Sequence, residues 1–225
     1  MGHLGIKGQC GGRFAMIVCE FVALIGIGVV LAEKNGSASS ETDRAEWAIR
    51  ELVRRGAVVK RFEVREVESS GLLVRLKEQH LEADGRVSQD IVAWLSMLPC
   101  LAVELRSLPL RDDGLQALWA ATRPIGLDVS GTKITNRGLA AIATAAQLRL
   151  LDVGFTEVDD DGLTSLTKLR ELRYVSFLGC RVTDRGIASL AKMTSLREVY
   201  LAKTNISAGA VERLQMLLPE CRVVR

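Results

Sequence analysis

The chain has 225 residues, 48% of them hydrophobic, 4% aromatic and 25% charged, a make-up that suits one folded domain and excludes a disordered or collagen-like chain. Thirty Lys and Arg against 27 Asp and Glu leave +3, too balanced for a protein that works by gripping nucleic acid. Five cysteines are too few for a disulfide-built miniature, and two histidines leave little for metal or triad chemistry, so an interaction domain is expected rather than an enzyme.

In chain order, residues 1–13 are a tail carrying Lys7 and Arg13, and Phe14–Ala32 is an apolar run with one charge, Glu20. As a helix that run spans roughly 28 Å, close to a bilayer core. The basic residues ahead of it place the N-terminus inside and the remaining chain outside the cytoplasm. Two fates are open: a single-pass anchor, favoured by the length of the run, or cleavage after Ala32 to give a secreted product. Residues 33–40 read as a flexible linker. A helix is expected next, started by a capping box at Asp43 and Glu46, with Ala45, Ala48, Ile49, Leu52 and Val53 on one face and Gly56 at its C-terminus. Extended chain over Ala57–Val67 completes a cap assigned to residues 41–71.

From about residue 100 the sequence repeats every 24 residues. Leu115, Leu139, Leu163, Ile187 and Val211 form one apolar column. Leu110, Ile134, Val158, Val182 and Ile206 form another, and Gly114, Gly138, Gly162 and Gly186 a glycine column ending in Ala210. Apolar pairs such as Leu127/Val129 and Leu151/Val153 mark a short strand in each unit. Val74–Leu76 and Ile91–Leu98 suggest an earlier unit, lengthened by a loop near His80–Gly85, and Val223 marks a last strand. This gives six repeats and a seventh strand over 72–225.

The stretch Leu148-x-x-Leu151-x-Val153-x-x-Thr156-x-Val158 resembles the leucine-rich repeat pattern. With Gly131-Thr132-Lys133-Ile134-Thr135, it is similar to the short-repeat, cysteine-containing subclass of that family, found in exported bacterial proteins and in the substrate-binding arms of F-box proteins. The resemblance implies an α/β leucine-rich repeat solenoid: a curved parallel sheet with short helices outside, preceded by the apolar helix and the small α/β cap. It also implies that Thr132, Thr156, Cys180 and Thr204 tie down the bends, whereas Leu108 cannot, so a looser first bend is expected. Thr135, Asp159 or Asp160, and Thr183 are the expected helix N-caps.

Strand alternation places Arg75, Glu104, Asp128, Asp152, Ser176 and Tyr200 on the concave face. The three acids, about 4.8 Å apart from strand to strand, suggest a patch for a basic partner, with Tyr174, Tyr200 and Lys203 beside it. No cofactor, metal or nucleic acid is expected, and the oligomeric state is open. The acidic turn at Glu157 and Asp159–Asp161 lacks calcium-loop spacing, Cys100, Cys180 and Cys221 are expected to be buried thiols, and His80 a surface histidine. The function expected is non-enzymatic binding of a protein partner on the concave face, by a membrane-anchored or exported chain. Two alternatives stand beside it: a ubiquitin-ligase substrate receptor of the F-box type, though residues 33–71 show no F-box, and an enzyme with a site in the inserted loop at His80 and Glu82.

Overall fold

The computed structural model describes residues 41–64, 69–99, 101–144 and 147–225. The apolar run Phe14–Ala32, the linker and Cys100 lie outside them; among the described residues no helix is long and apolar enough to cross a membrane.

The first helix, α1 (Glu41–Arg54), buries Ala48 and Leu52 and packs Ala45 and Ile49 against the core. Asp43 lies within its first turn instead of capping it, and Val53 is turned to solvent because its position lies off the 48/52 stripe. Gly56, at φ +91°, ends the helix in the left-handed conformation that glycine adopts without strain. Strand β1 (Val58–Val64) then pairs antiparallel with β2 (Ser69–Arg75). The boundary drawn at 71/72 falls inside β2, whose end pairs parallel with the first regular strand.

From β2 onward, strand and helix alternate: α2 (Gln89–Ser96), β3 (Leu101–Glu104), α3 (Asp112–Thr122), β4 (Gly126–Asp128), α4 (Asn136–Ile142) and β5 (Leu150–Asp152). They continue with α5 (Asp160–Leu166), β6 (Tyr174–Ser176), α6 (Ile187–Leu190, entered through a 3-10 turn), β7 (Glu198–Tyr200), α7 (Ala208–Leu217) and β8 (Arg222–Val224). All eight strands form one sheet in sequence order, parallel from β2 to β8. The register is constant at 24 residues: Leu127 faces Leu151, Leu151 faces Val175 and Val175 faces Val199. These six strand–helix units with a closing strand match the repeat count read from the sequence.

One unit cannot bury its own apolar faces, so the core is a layer shared between neighbours. The column Leu115, Leu139, Leu163 is fully buried, as are Leu110, Ile134 and Val158. Trp47 meets Trp94 edge-on at 6.1 Å, and Arg55 lies over the Trp94 ring while pairing with Asp90 at 2.8 Å, which fastens α1 to α2.

Candidate functional site

The expected acidic row is present on the sheet face turned away from the core, in register: Arg75 beside Glu104, then Asp128, Asp152, Ser176 and Tyr200. It is not a surface for a basic partner. Glu104, Asp128 and Asp152 are all at most 5% exposed. Strands only three or four residues long, stacked rung on rung, let the following residues close over the row, and the carboxylates are already engaged. Arg75 Nε lies 2.9 Å from Glu104 Oε2, and Arg106 Nη2 lies 3.2 Å from Asp128 Oδ2. The Ser130 N–H donates to Asp128 Oδ1 at 2.9 Å, and the Gly154 N–H to Asp152 Oδ1 at 2.8 Å.

The electrostatics of the row follow from a count. Two arginines serve three acids, and the repeat position that gives Arg106 to Asp128 gives only Ser130 to Asp152. Burial, and then the charge of Asp128, push the Asp152 carboxyl up to about 7 against the smaller pull of the Gly154 N–H, the Ser176 hydroxyl and Arg106. Burial also raises Glu104, with Arg75 opposing. Tyr200, expected as an exposed contact, is buried instead, and its hydroxyl donates to Glu198 Oε1 at 2.8 Å.

What the same region offers to solvent lies one position further along each bend. Ser107, Gly131, Phe155, Gly179 and Lys203 recur at 24-residue spacing, and all five have φ between +55° and +70°. The backbone N–H of each of the first four donates to a carbonyl of the next unit, as Phe155 does to Leu178 at 2.7 Å, so the bends form a ridge across the array. Phe155 is half exposed, its ring lies against Gly179, and Lys203 Nζ is 5.6 Å from the ring centre. Half-buried Leu150, Tyr174 and Leu178 lie nearby on the sheet side. Of the residues expected to bind a partner, Tyr174 and Lys203 are therefore accessible; Glu104, Asp128, Asp152 and Tyr200 are enclosed.

The bends themselves are held as expected. The Thr132 and Thr156 hydroxyls donate to the carbonyls of Val129 and Val153, each at 2.6 Å, and Cys180 Sγ to Val153 O at 3.0 Å. The looser bend expected at Leu108 is absent: its N–H reaches Leu105 O at 3.3 Å, the same length as the bond from Thr132 to Val129. The backbone closes this turn, and the side-chain tie is an addition to it. Cys180 and Cys221 are buried, and burial lifts both thiols, Cys221 to about 11. His80 is buried, not superficial. It accepts from the Lys77 N–H at Nδ1 (2.8 Å) and places Nε2 3.0 Å from Arg55 O, clasping the inserted segment to the end of α1. The insertion is a compact turn with Leu81 bridged to Val87.

A second periodic network was not foreseen. Thr135, Asp159 and Thr183 cap their helices as expected, each accepting from the N–H two residues on. Each cap is also held by the unit before it. Asp112 accepts from the Thr135 N–H (2.9 Å) and hydroxyl (2.6 Å), Asp160 likewise from Thr183, and Asp184 from Ser207. Asn136 and Asp159 make the equivalent pair with one bond in each direction. These bonds hold Asp159 and Asp184 below the ordinary carboxylate range. The glycine column makes room for them: a Cβ on Gly138 would stand 2.5 Å from Asp112 Oδ1. The signal was legible as a polar column at positions 112, 136, 160 and 184, each 23 residues ahead of a cap.

Among the described residues no three His, Cys, Asp or Glu side chains converge to hold a metal. No curated protein matches the chain. Among solved structures it is similar to a Leptospira interrogans LRR protein (16% identity, 62% of this chain and 34% of that one, TM-score 0.40). It is similar, too, to an internalin from Listeria monocytogenes (17% identity, 80% and 54%, TM-score 0.40). A third is the LRR ectodomain of the receptor kinase SOBIR1 from Arabidopsis thaliana (14% identity, 80% and 90%, TM-score 0.31). The chain thus spans about a third of the length of the first and about half of the second. A family model described as Leucine Rich repeat matches residues 127–143, from β4 through α4. With that unit recurring in register from β2 to β8, the chain is a leucine-rich repeat solenoid.

Proposed function

We propose that this chain is a non-enzymatic protein-binding module, anchored in a membrane through Phe14–Ala32 or secreted after cleavage behind Ala32, with the repeats outside the cytoplasm. Stacked repeats create extended surfaces suited to protein partners. The partner docks on the strip formed by the Phe155–Lys203 ridge and the adjoining Leu150, Tyr174 and Leu178. Phe155 carries the reading: an aromatic ring half in solvent, at φ +55°, a conformation that costs a bulky residue about 1 kcal/mol or more. Left-handed strain at a non-glycine residue concentrates at ligand-contacting sites, and exposed aromatics beside a cation are common anchors of interfaces. The buried acids stiffen the sheet behind this strip and take no part in contact.

The test is affinity capture with the full chain, wild type beside the Phe155→Gly/Lys203→Gly variant. Both positions already have the backbone conformation glycine prefers, so the variant folds. A partner identified by mass spectrometry and lost by the folded variant supports the reading; one held equally by both sinks it.

A further inference from the structure

The two rims of the solenoid differ in charge. The helix-to-strand segments 143–149, 167–173 and 191–197 carry Arg149, Lys168, Arg170, Arg173, Lys192 and Arg197 against a single acid, Glu171. The bends on the opposite rim, 132–137, 156–161 and 180–185, carry four basic residues against five acids. On the basic rim three arginines stand on successive rungs. The Arg197 N–H donates to Arg173 O at 2.8 Å and the Arg173 N–H to Arg149 O at 2.9 Å, so their backbones are one strand spacing apart. Arg197, Lys168, Arg170 and Lys192 are exposed, and Arg149 and Arg173 half-buried. Like charges stacked about 4.8 Å apart repel, and a row of anions relieves that repulsion.

We infer that this rim is a second binding surface, which takes an acidic segment of a partner polypeptide across Arg149, Arg173 and Arg197. Three observations select carboxylates among anions. Glu171 Oε2 already lies 3.8 Å from Arg149 Nη2, so the rim accommodates a carboxylate, which the guanidinium fork matches. Among the described residues the exposed large apolar side chains are Trp47, Val53, Met97, Phe155, Met216 and Leu217; none lies in these segments, so nothing there stacks nucleic-acid bases. The net charge of +3 supplies no extended field for a nucleic-acid backbone.

This surface lies apart from the Phe155 ridge and is tested separately. A fluorescein-labelled hexaglutamate peptide is titrated with the full chain at low and physiological salt, and read by anisotropy. The Arg149→Gln/Arg173→Gln/Arg197→Gln variant is expected to bind at least tenfold more weakly than wild type. The Lys133→Gln/Arg137→Gln/Arg181→Gln variant, equal in net charge but altered on the opposite rim, is expected to bind within twofold of wild type. Equal losses in the two variants overturn the inference, since net charge alone would then explain binding. A hexathymidylate that binds as tightly as the peptide overturns it, as does absence of peptide binding by wild type. An equal loss in the Phe155→Gly/Lys203→Gly variant would also overturn it, by moving the peptide to the ridge.

Discussion

Gly138 gives a direct handle on how neighbouring repeats are held in register. Replacing it with alanine would set a methyl carbon 2.5 Å from Asp112 Oδ1 and 2.8 Å from Ile134 Cγ2. Real contacts of that kind begin above 3 Å, so the carboxylate must retreat by about half an ångström or more. It then loses alignment with the Thr135 N–H and hydroxyl, two bonds to an ionised acceptor worth about 1.5–3 kcal/mol each when broken outright. Alanine returns about 1 kcal/mol through its helix propensity, and partial retention of the bonds returns some more. The expected net loss is about 2–3 kcal/mol, or roughly 4–12 °C in melting temperature for a chain of this size. Circular dichroism melts of wild type, Gly138→Ala, Asp112→Ala and the double variant measure it as a cycle. In the Asp112→Ala background the carboxylate is gone, so Gly138→Ala becomes nearly neutral. Gly209→Ala, where a Cβ would meet nothing within 4 Å, is the control and changes stability by at most about 1 kcal/mol. A Gly138→Ala protein as stable as wild type would refute the reasoning, because the methyl would then fit without disturbing Asp112.

Asp152 governs a pH dependence of stability. Its folded carboxyl holds its proton up to about 7, whereas the unfolded one loses it near 3.8, so between those values the folded state binds the extra proton. The contribution is present below about pH 4 and lost as pH rises to about 7, amounting to a few kcal/mol. Asp152→Asn should therefore stabilise the protein at pH 8 and flatten urea-derived stability between pH 5 and 8; an unchanged slope would count against the unmatched third acid. His80→Ala removes two bonds to backbone and leaves a cavity, so a loss of about 2–4 kcal/mol is expected, with faster hydrogen exchange at Lys77 and near Arg55; a melt within 0.5 kcal/mol of wild type would deny its clasping role. Alkaline carbonate washing of membranes should leave the intact protein in the pellet if Phe14–Ala32 anchors it. A soluble product beginning at Glu33 would establish cleavage instead.

The sequence disclosed those features in which one residue type suffices to do the job. Leucine-sized side chains recurring at 24 residues fix the strand, helix and core of every unit, and a Thr or Asp ahead of each helix marks its cap. Alternation also assigns Asp128 and Asp152 to the correct face of the sheet. It cannot say how closely adjacent rungs shut over that face, and with strands this short the difference between an exposed patch and an enclosed row lies there. The left-handed column was half visible through Gly131 and Gly179, but Ser107, Phe155 and Lys203 adopt the same backbone with nothing in their identities to announce it. Val53 was misplaced because a stripe of apolar residues on a single helix is wider than the strip its neighbours cover. His80 was misread for the opposite reason: a lone polar residue in an insertion looks superficial unless the backbone groups it satisfies, here at Lys77 and Arg55, are known.

The pairs Asp112–Thr135, Asn136–Asp159, Asp160–Thr183 and Asp184–Ser207 have a property that goes beyond stability. Each begins at the residue immediately after the previous one ends, so together they tile the chain without overlap. Insertion or loss of one residue inside any tile would pull its two ends out of reach of each other. Excision of a whole tile, residues 136–159 for example, joins Thr135 to Asp160 and leaves every remaining pair with its original partner. Such an array is modular in length: it can gain or shed entire units by duplication or deletion, while smaller changes are confined to places like the segment before α2, where His80 secures the excess chain.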